Sequence, residues 1–244
     1  MDYRTSLSVI TGTLLTLSLA VVPAFGVTIP ETVLGSANPY LAGMPNLSTC
    51  CGGDTVPAQS PVQVLGLALT PASSLTFTVT GSVNFAGGLP TDPPDGGGFF
   101  GGTASNDGIA SMNAPADALV GLFLDNNVPT SSVAPSGLDF SAAGGTSFTT
   151  LSPGLKQPFF IGDGLTGNGT GSVQTFIVPA GATRFFLGTV DGFGWFNNSG
   201  SFSVNVTGIG ASAAVPEPSG LVLLGLGAAG MVGRVAWGKL RRNP

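Results

Sequence analysis

Over residues 75–83 apolar and polar side chains alternate: Leu75, Phe77 and Val79 point one way, and Thr76, Thr78 and Thr80 the other. A two-residue period puts successive side chains on opposite faces of a sheet, so this stretch predicts a half-buried strand. Leu65, Leu67 and Leu69 repeat the period within 62–70, and Phe202, Val204 and Val206 repeat it within 202–206. Residues 118–125 are almost continuously apolar, the pattern of a strand covered on both faces. Shorter runs predict strands over 157–161, 173–178 and 182–190, a brief one at 148–151, and an edge strand near 32–34 in an otherwise irregular lead, 27–60. Gly, Pro, Ser and Asn mark the turns between them, with long loops over 84–106 and 128–145. No part of this region carries a helical period. The expectation is an all-β fold, a single antiparallel β-sandwich or jelly roll.

Two terminal segments break the strand pattern. Residues 7–22 are mostly apolar behind a short n-region containing Arg4, and Ala24-Phe25-Gly26 places small residues where a signal peptidase reads. That layout predicts a signal peptide over 1–26, its helix removed after Gly26. At the other end, Val215-Pro216-Glu217-Pro218-Ser219 is a stiff polar linker, followed by an apolar run broken only by Arg234 and closed by Lys239, Arg241 and Arg242. A bilayer core of about 30 Å takes roughly 20 apolar residues of helix, so a transmembrane helix is expected over about 219–238. Arg234 lies near its end and can snorkel toward the headgroups. The positive-inside tendency puts the basic cluster in the cytoplasm and the rest of the chain outside.

The tail resembles the PEP-CTERM sorting signal of exported proteins, with Pro216, Glu217 and Pro218 as the motif. The resemblance implies processing by an exosortase-type membrane enzyme. It also implies export through the inner membrane, anchoring there until processing, and release to the cell surface or extracellular matrix. The expected organisation is a signal peptide over 1–26, a β-sandwich body over 27–214 and a sorting tail over 215–244.

Charge narrows what the body can do. The chain holds seven basic residues, of which only Lys156 and Arg184 lie in the body, against ten body acids from Glu31 to Asp191. A surface near −8 repels phosphate backbones and argues against nucleic acid as a partner. It leaves carboxylates free for divalent cations. There is no histidine, so serine–histidine and cysteine–histidine catalysis and Cys/His zinc sites are excluded. Cys50 and Cys51 are adjacent; a vicinal disulfide, two free thiols and a bond between chains all stay open. Gly162, Gly164 and Gly167 match a dinucleotide-binding string, but no helical pattern follows, which makes the stretch a turn. Asp92 with Asp95, or Asp163 with Asp191, are the carboxylate pairs a glycan hydrolase would need, although aspartates in loops are more commonly turn formers.

Residues 191–206 carry the most chemistry. Asp191, Asn197 and Asn198 gather oxygen donors in a Gly-rich turn, of the kind calcium takes together with backbone carbonyls. Trp195 offers an aromatic face that suits a sugar. The run Asn197-Asn198-Ser199-Gly200-Ser201-Phe202-Ser203-Val204-Asn205 resembles the end of the PA-IL family of calcium-dependent galactose-binding lectins. The resemblance implies a small jelly-roll sandwich with calcium bound by Asp191, Asn197 and Asn198. A carbonyl from the earlier long loop completes the shell, which points at Phe85. The chain departs from the family in a shorter gap between Asp191 and Asn197, and its sugar-contacting histidine has no counterpart, so galactose specificity is not carried over. With Asp92, Asp95 and Trp195 as ligand-binding candidates, the leading expectation is a non-enzymatic, calcium-assisted module for glycan or exopolysaccharide. The alternatives are a matrix protein without a ligand and a carboxylate-based hydrolase.

Overall fold

A computed structural model describes residues 26–98 and 100–209. Residues 1–25, where a signal peptide is expected, and the tail, with its expected span at about 219–238, lie outside the described residues. Within them, nine strands build two main sheets: β1 (Val27–Leu34), β2 (Val62–Gln63), β3 (Ser74–Asn84), β4 (Leu119–Leu124), β5 (Thr150–Leu151), β6 (Phe159–Phe160), β7 (Thr175–Ile177), β8 (Arg184–Thr189) and β9 (Ser199–Ile209). The first sheet has the order β1-β9-β3-β7-β5 and the second β6-β4-β8-β2; both are open. The described residues hold no α-helix, only three short 3-10 turns. The all-β expectation is met.

The alternating stretch explains the first sheet. β3 pairs with β9 from Ser74↔Ile209 to Asn84↔Ser199, and β9 pairs with β1 from Val27↔Gly208 to Leu34↔Ser201. This register puts Val33, Phe77, Val79, Val83, Phe202, Val204 and Val206 on the buried face. It sets Thr28, Thr207 and Thr76 in one row of the outer face, and Thr32, Ser203 and Thr80 in another. Hydroxyls on the solvent side keep that face wet, and Thr28 and Thr207 bond each other at 2.9 Å.

The second sheet is covered on both faces. Every residue of β4 is buried, as its apolar run implies. Phe123, Phe185 and Leu187 meet the first sheet, where rings pack at 4.8 Å (Phe123–Phe185), 5.9 Å (Phe77–Phe185) and 5.2 Å (Phe77–Phe176). Such pairs contribute about 0.5–1.5 kcal/mol each beyond their buried area. Leu122, Leu124 and Phe186 point the other way, into a second cluster with Tyr40, Leu41, Val56, Ile109 and Trp195. The lead segment, expected to be irregular, is therefore the cover of this outer face.

Three expectations need correction. The sheets are not purely antiparallel: β5 runs parallel to β7, and Met112–Pro115 runs parallel to Leu138–Asp139. The loop after β4 carries the chain to the far edge before β5 begins, and the buried Gln174 amide pins that edge by donating to the Thr146 and Phe148 carbonyls at 2.8 and 2.9 Å. The strand expected over 62–70 stops at Gln63, because Gly66 takes φ +84° and Leu65 turns out to solvent. The edge strand expected near 32–34 is the full-length β1, whose pairing with the distant β9 accommodates Pro30 at a sheet edge.

Candidate functional site

Four segments meet at one end of the shared core. β3 ends at Asn84 opposite Ser199, the first residue of β9. The long loop returns so that Asp92 and Val83 exchange backbone hydrogen bonds of 3.0 and 3.1 Å. The turn before β4 lies beside the end of β8, since the Asp117 N–H donates to the Val190 carbonyl at 2.8 Å and the Val190 N–H to the Ala118 carbonyl at 3.0 Å. Asp117 adopts φ +68° there, a left-handed conformation that aspartate tolerates better than most residues. The loop after β8 then brings Asp191 and Asn198 to the same end.

The side chains gathered here are rich in acceptors. Asp117 is fully buried. Its Oδ2 accepts the Phe85 N–H at 3.1 Å, while its Oδ1 is buried without a donor. The Asp117 and Asp92 carboxyls stand within hydrogen-bond reach of each other, and burial, reinforced by this facing carboxyl, pushes the Asp117 pKa up to about 7. Asp191 is buried; Oδ1 accepts the Phe193 N–H at 3.1 Å and Oδ2 has no donor. Burial raises its pKa, opposed by the Phe193 N–H and the neighbouring Asn198 amide. Asn198 donates to the Gly35 carbonyl at 3.0 Å and keeps a buried, donor-free Oδ1. Asn197 is exposed.

The structure re-pairs the carboxylates named from sequence. Asp92 faces Asp117, not Asp95. Asp95 sits beside Asp163 instead, where its Oδ1 accepts the Asp163 N–H at 3.2 Å and burial together with the Asp163 charge lifts its pKa to about 6. Asp163 binds its own turn, accepting from Leu165 and Gly169 at 2.8 and 2.7 Å. Trp195 is also corrected: its indole is fully buried, donates to the Thr189 carbonyl at 3.0 Å and packs 6.1 Å from the Tyr40 ring. It anchors the loop and offers no face to a ligand. Phe193 and Phe196 are the exposed rings of that loop.

Two residues that the sequence reading missed hold this site. Asp54 is buried and accepts three hydrogen bonds, from Asn38 Nδ2 at 2.9 Å and from the Trp195 and Phe196 N–H groups at 3.0 and 2.8 Å. It caps the 3-10 turn Trp195–Asn197 from a hairpin that also contains the Cys50–Cys51 vicinal disulfide. The Cys51 carbonyl accepts the Gly194 N–H at 2.8 Å, and the Phe193 ring lies so close over Gly52 that a Cβ there would be 2.6 Å away. Asp117 is the other. Its sequence signal is an acid inside Ala116-Asp117-Ala118, immediately ahead of the most apolar strand.

Asp191, Asn198 and the Asp92–Asp117 pair bring oxygens of the kind a hard cation takes, and several of them lack donors. Among the described residues no three Cys, Asp or Glu side chains gather around one metal position. Any ion here would draw on amide, backbone and water oxygens as well.

Residues 214–242 match the PEP-CTERM protein-sorting motif. The PEP-CTERM tail implies processing by an exosortase, and export with membrane-anchored sorting before that step. Pro216, Glu217, Pro218, Arg234, Lys239, Arg241 and Arg242 all fall within the matched residues but outside the described ones. No helix among the described residues is long and apolar enough to cross a membrane. No curated protein matches the chain.

Proposed function

We propose that this is an exported surface or extracellular-matrix protein whose body is a lectin-like β-sandwich that holds calcium at the Asp191 loop and binds polysaccharide there. In this reading residues 1–26 are removed on export, 27–214 form the working body and 215–244 are the processed tail. The sorting half is supported by the PEP-CTERM match. The binding half is carried by one observation: Asp191 and Asn198 each keep a buried oxygen with no donor at the mouth of a rigidly built loop. A buried acceptor without a partner costs about 1–3 kcal/mol, and a bound cation would remove that cost. Phe193 and Phe196 supply exposed apolar faces beside it, taking the part the sequence reading gave to Trp195.

Isothermal titration of the full chain in detergent with polysaccharide fragments tests this reading. Binding is expected with Ca²⁺ present, with loss in EDTA and in Asp191→Asn; heats unchanged by EDTA would overturn the calcium assignment. The competing reading, a matrix protein without a ligand, draws support from how completely Asp54 and the Cys50–Cys51 hairpin build the loop by themselves. It expects no binding under either condition.

A further inference from the structure

We propose that Asp92 and Asp117 form the seat of one divalent cation, with Asp117 as its principal buried ligand. This rests on the cation half of the proposed function and specifies which side chains hold the ion. Asp117 is fully buried, one of its oxygens is committed to the Phe85 N–H at 3.1 Å, and the other has no donor at all. The Asp92 carboxyl stands opposite, within hydrogen-bond reach. Two carboxylates at that separation repel unless positive charge lies between them.

The protein brings no base to the place. Lys156 and Arg184 are the two basic side chains of the described residues. Lys156 donates to Ser132 and Val133 at 2.7–3.1 Å, and Arg184 donates to the Asp125 and Asn127 carbonyls at 2.7 and 2.6 Å. Asp92 is only partly buried, so an ion can reach the pair from solvent. An all-oxygen site of two carboxylates, completed by water and by amide or backbone oxygens, suits calcium, which takes about 6–8 oxygens at about 2.3–2.6 Å. No third Cys, Asp or Glu side chain among the described residues joins the pair around one metal position, so water and amide or backbone oxygens complete the shell. Asn197 is exposed and has no place in this seat.

Calorimetric titration of the EDTA-stripped full chain in detergent with CaCl₂ alone, paired with melting curves, tests the assignment. The wild type should bind one ion per chain and melt higher with it, by mass action. Asp117→Asn should weaken Ca²⁺ about a hundredfold or more, since ligand charge sets affinity at such sites. It should still fold, because the amide oxygen keeps the Phe85 N–H and the NH₂ group donates to Asp92. Asp92→Asn, on the more exposed partner, should lose Ca²⁺ likewise, and Asn197→Ala should stay within about twofold, as a residue outside the ligand shell would. Undiminished Ca²⁺ binding in both aspartate variants would overturn this seat while leaving a cation at Asp191 and Asn198 standing. A wild type that binds no Ca²⁺ would overturn both.

Discussion

Asp54 and Asp117 show what buried aspartates do in a chain without histidine. Asp54 satisfies three donors, two of them backbone N–H groups of the 3-10 turn that carries the candidate site. Asp54→Ala leaves those donors buried and should cost about 2–4 kcal/mol of stability, read from the urea midpoint at constant slope. Asp117 and Asp95 have folded pKa values near 7 and 6, raised from 3.8 by burial and by a neighbouring carboxyl. Between those limits the folded chain binds more protons than the unfolded one. The stability these two groups contribute to the calcium-free protein is therefore fully present below about pH 4 and is lost as pH rises through about 6 to 7. Melting temperatures of EDTA-treated protein from pH 4.5 to 8 should show this decline, and Asp117→Asn should flatten its upper part. The sequence exposed Asp191 and Asn198 because they sit in a Gly- and Asn-rich turn, where polar side chains stand out. It hid Asp117 because that residue's partners, Asp92 and Phe85, come from a loop whose path is set by backbone bonds to Val83. It misplaced Trp195 because aromatic character says nothing about which way a ring turns.

At the level of elements, legibility followed periodicity. β3 and β9 were readable because alternation is a local property, and β4 because an unbroken apolar run needs cover on both faces. β1 is only partly legible because its Pro30 and Glu31 disturb the pattern and its eight register pairs with β9 are non-local. Over residues 62–70 three leucines at even spacing imitate a strand that Gly66 interrupts. Where β9 leaves the loop, Gly200 takes φ +80° and a Cβ would press on the Ser82 carbonyl. Gly200→Ala should cost about 1–3 kcal/mol and disturb the neighbouring Asn198. The expected result is a lowered urea midpoint together with weaker Ca²⁺ binding. A full-strength Ca²⁺ response in that variant would separate the loop from the strand that frames it.

For the whole molecule, an address and a body are written in different ways. The tail is a linear pattern of stiff linker, apolar run and basic end, so it could be read directly, and the PEP-CTERM match bears this out. The body's class was readable from composition and turns, but its layering was not. The cover supplied by Tyr40, Leu41 and the Cys50–Cys51 hairpin depends on tertiary contacts that no local pattern encodes. Replacing Pro216 and Glu217 by alanine should trap the chain in the membrane fraction, since both lie within the matched sorting motif. The most direct test of export and sorting is the intact mass and terminal sequence of the protein recovered from the cell surface. The account predicts a species shorter than the 24.1 kDa chain, beginning near Val27 and lacking the apolar run and basic end of the tail. Recovery of the uncut chain from the cytoplasm, with both termini present, would contradict it.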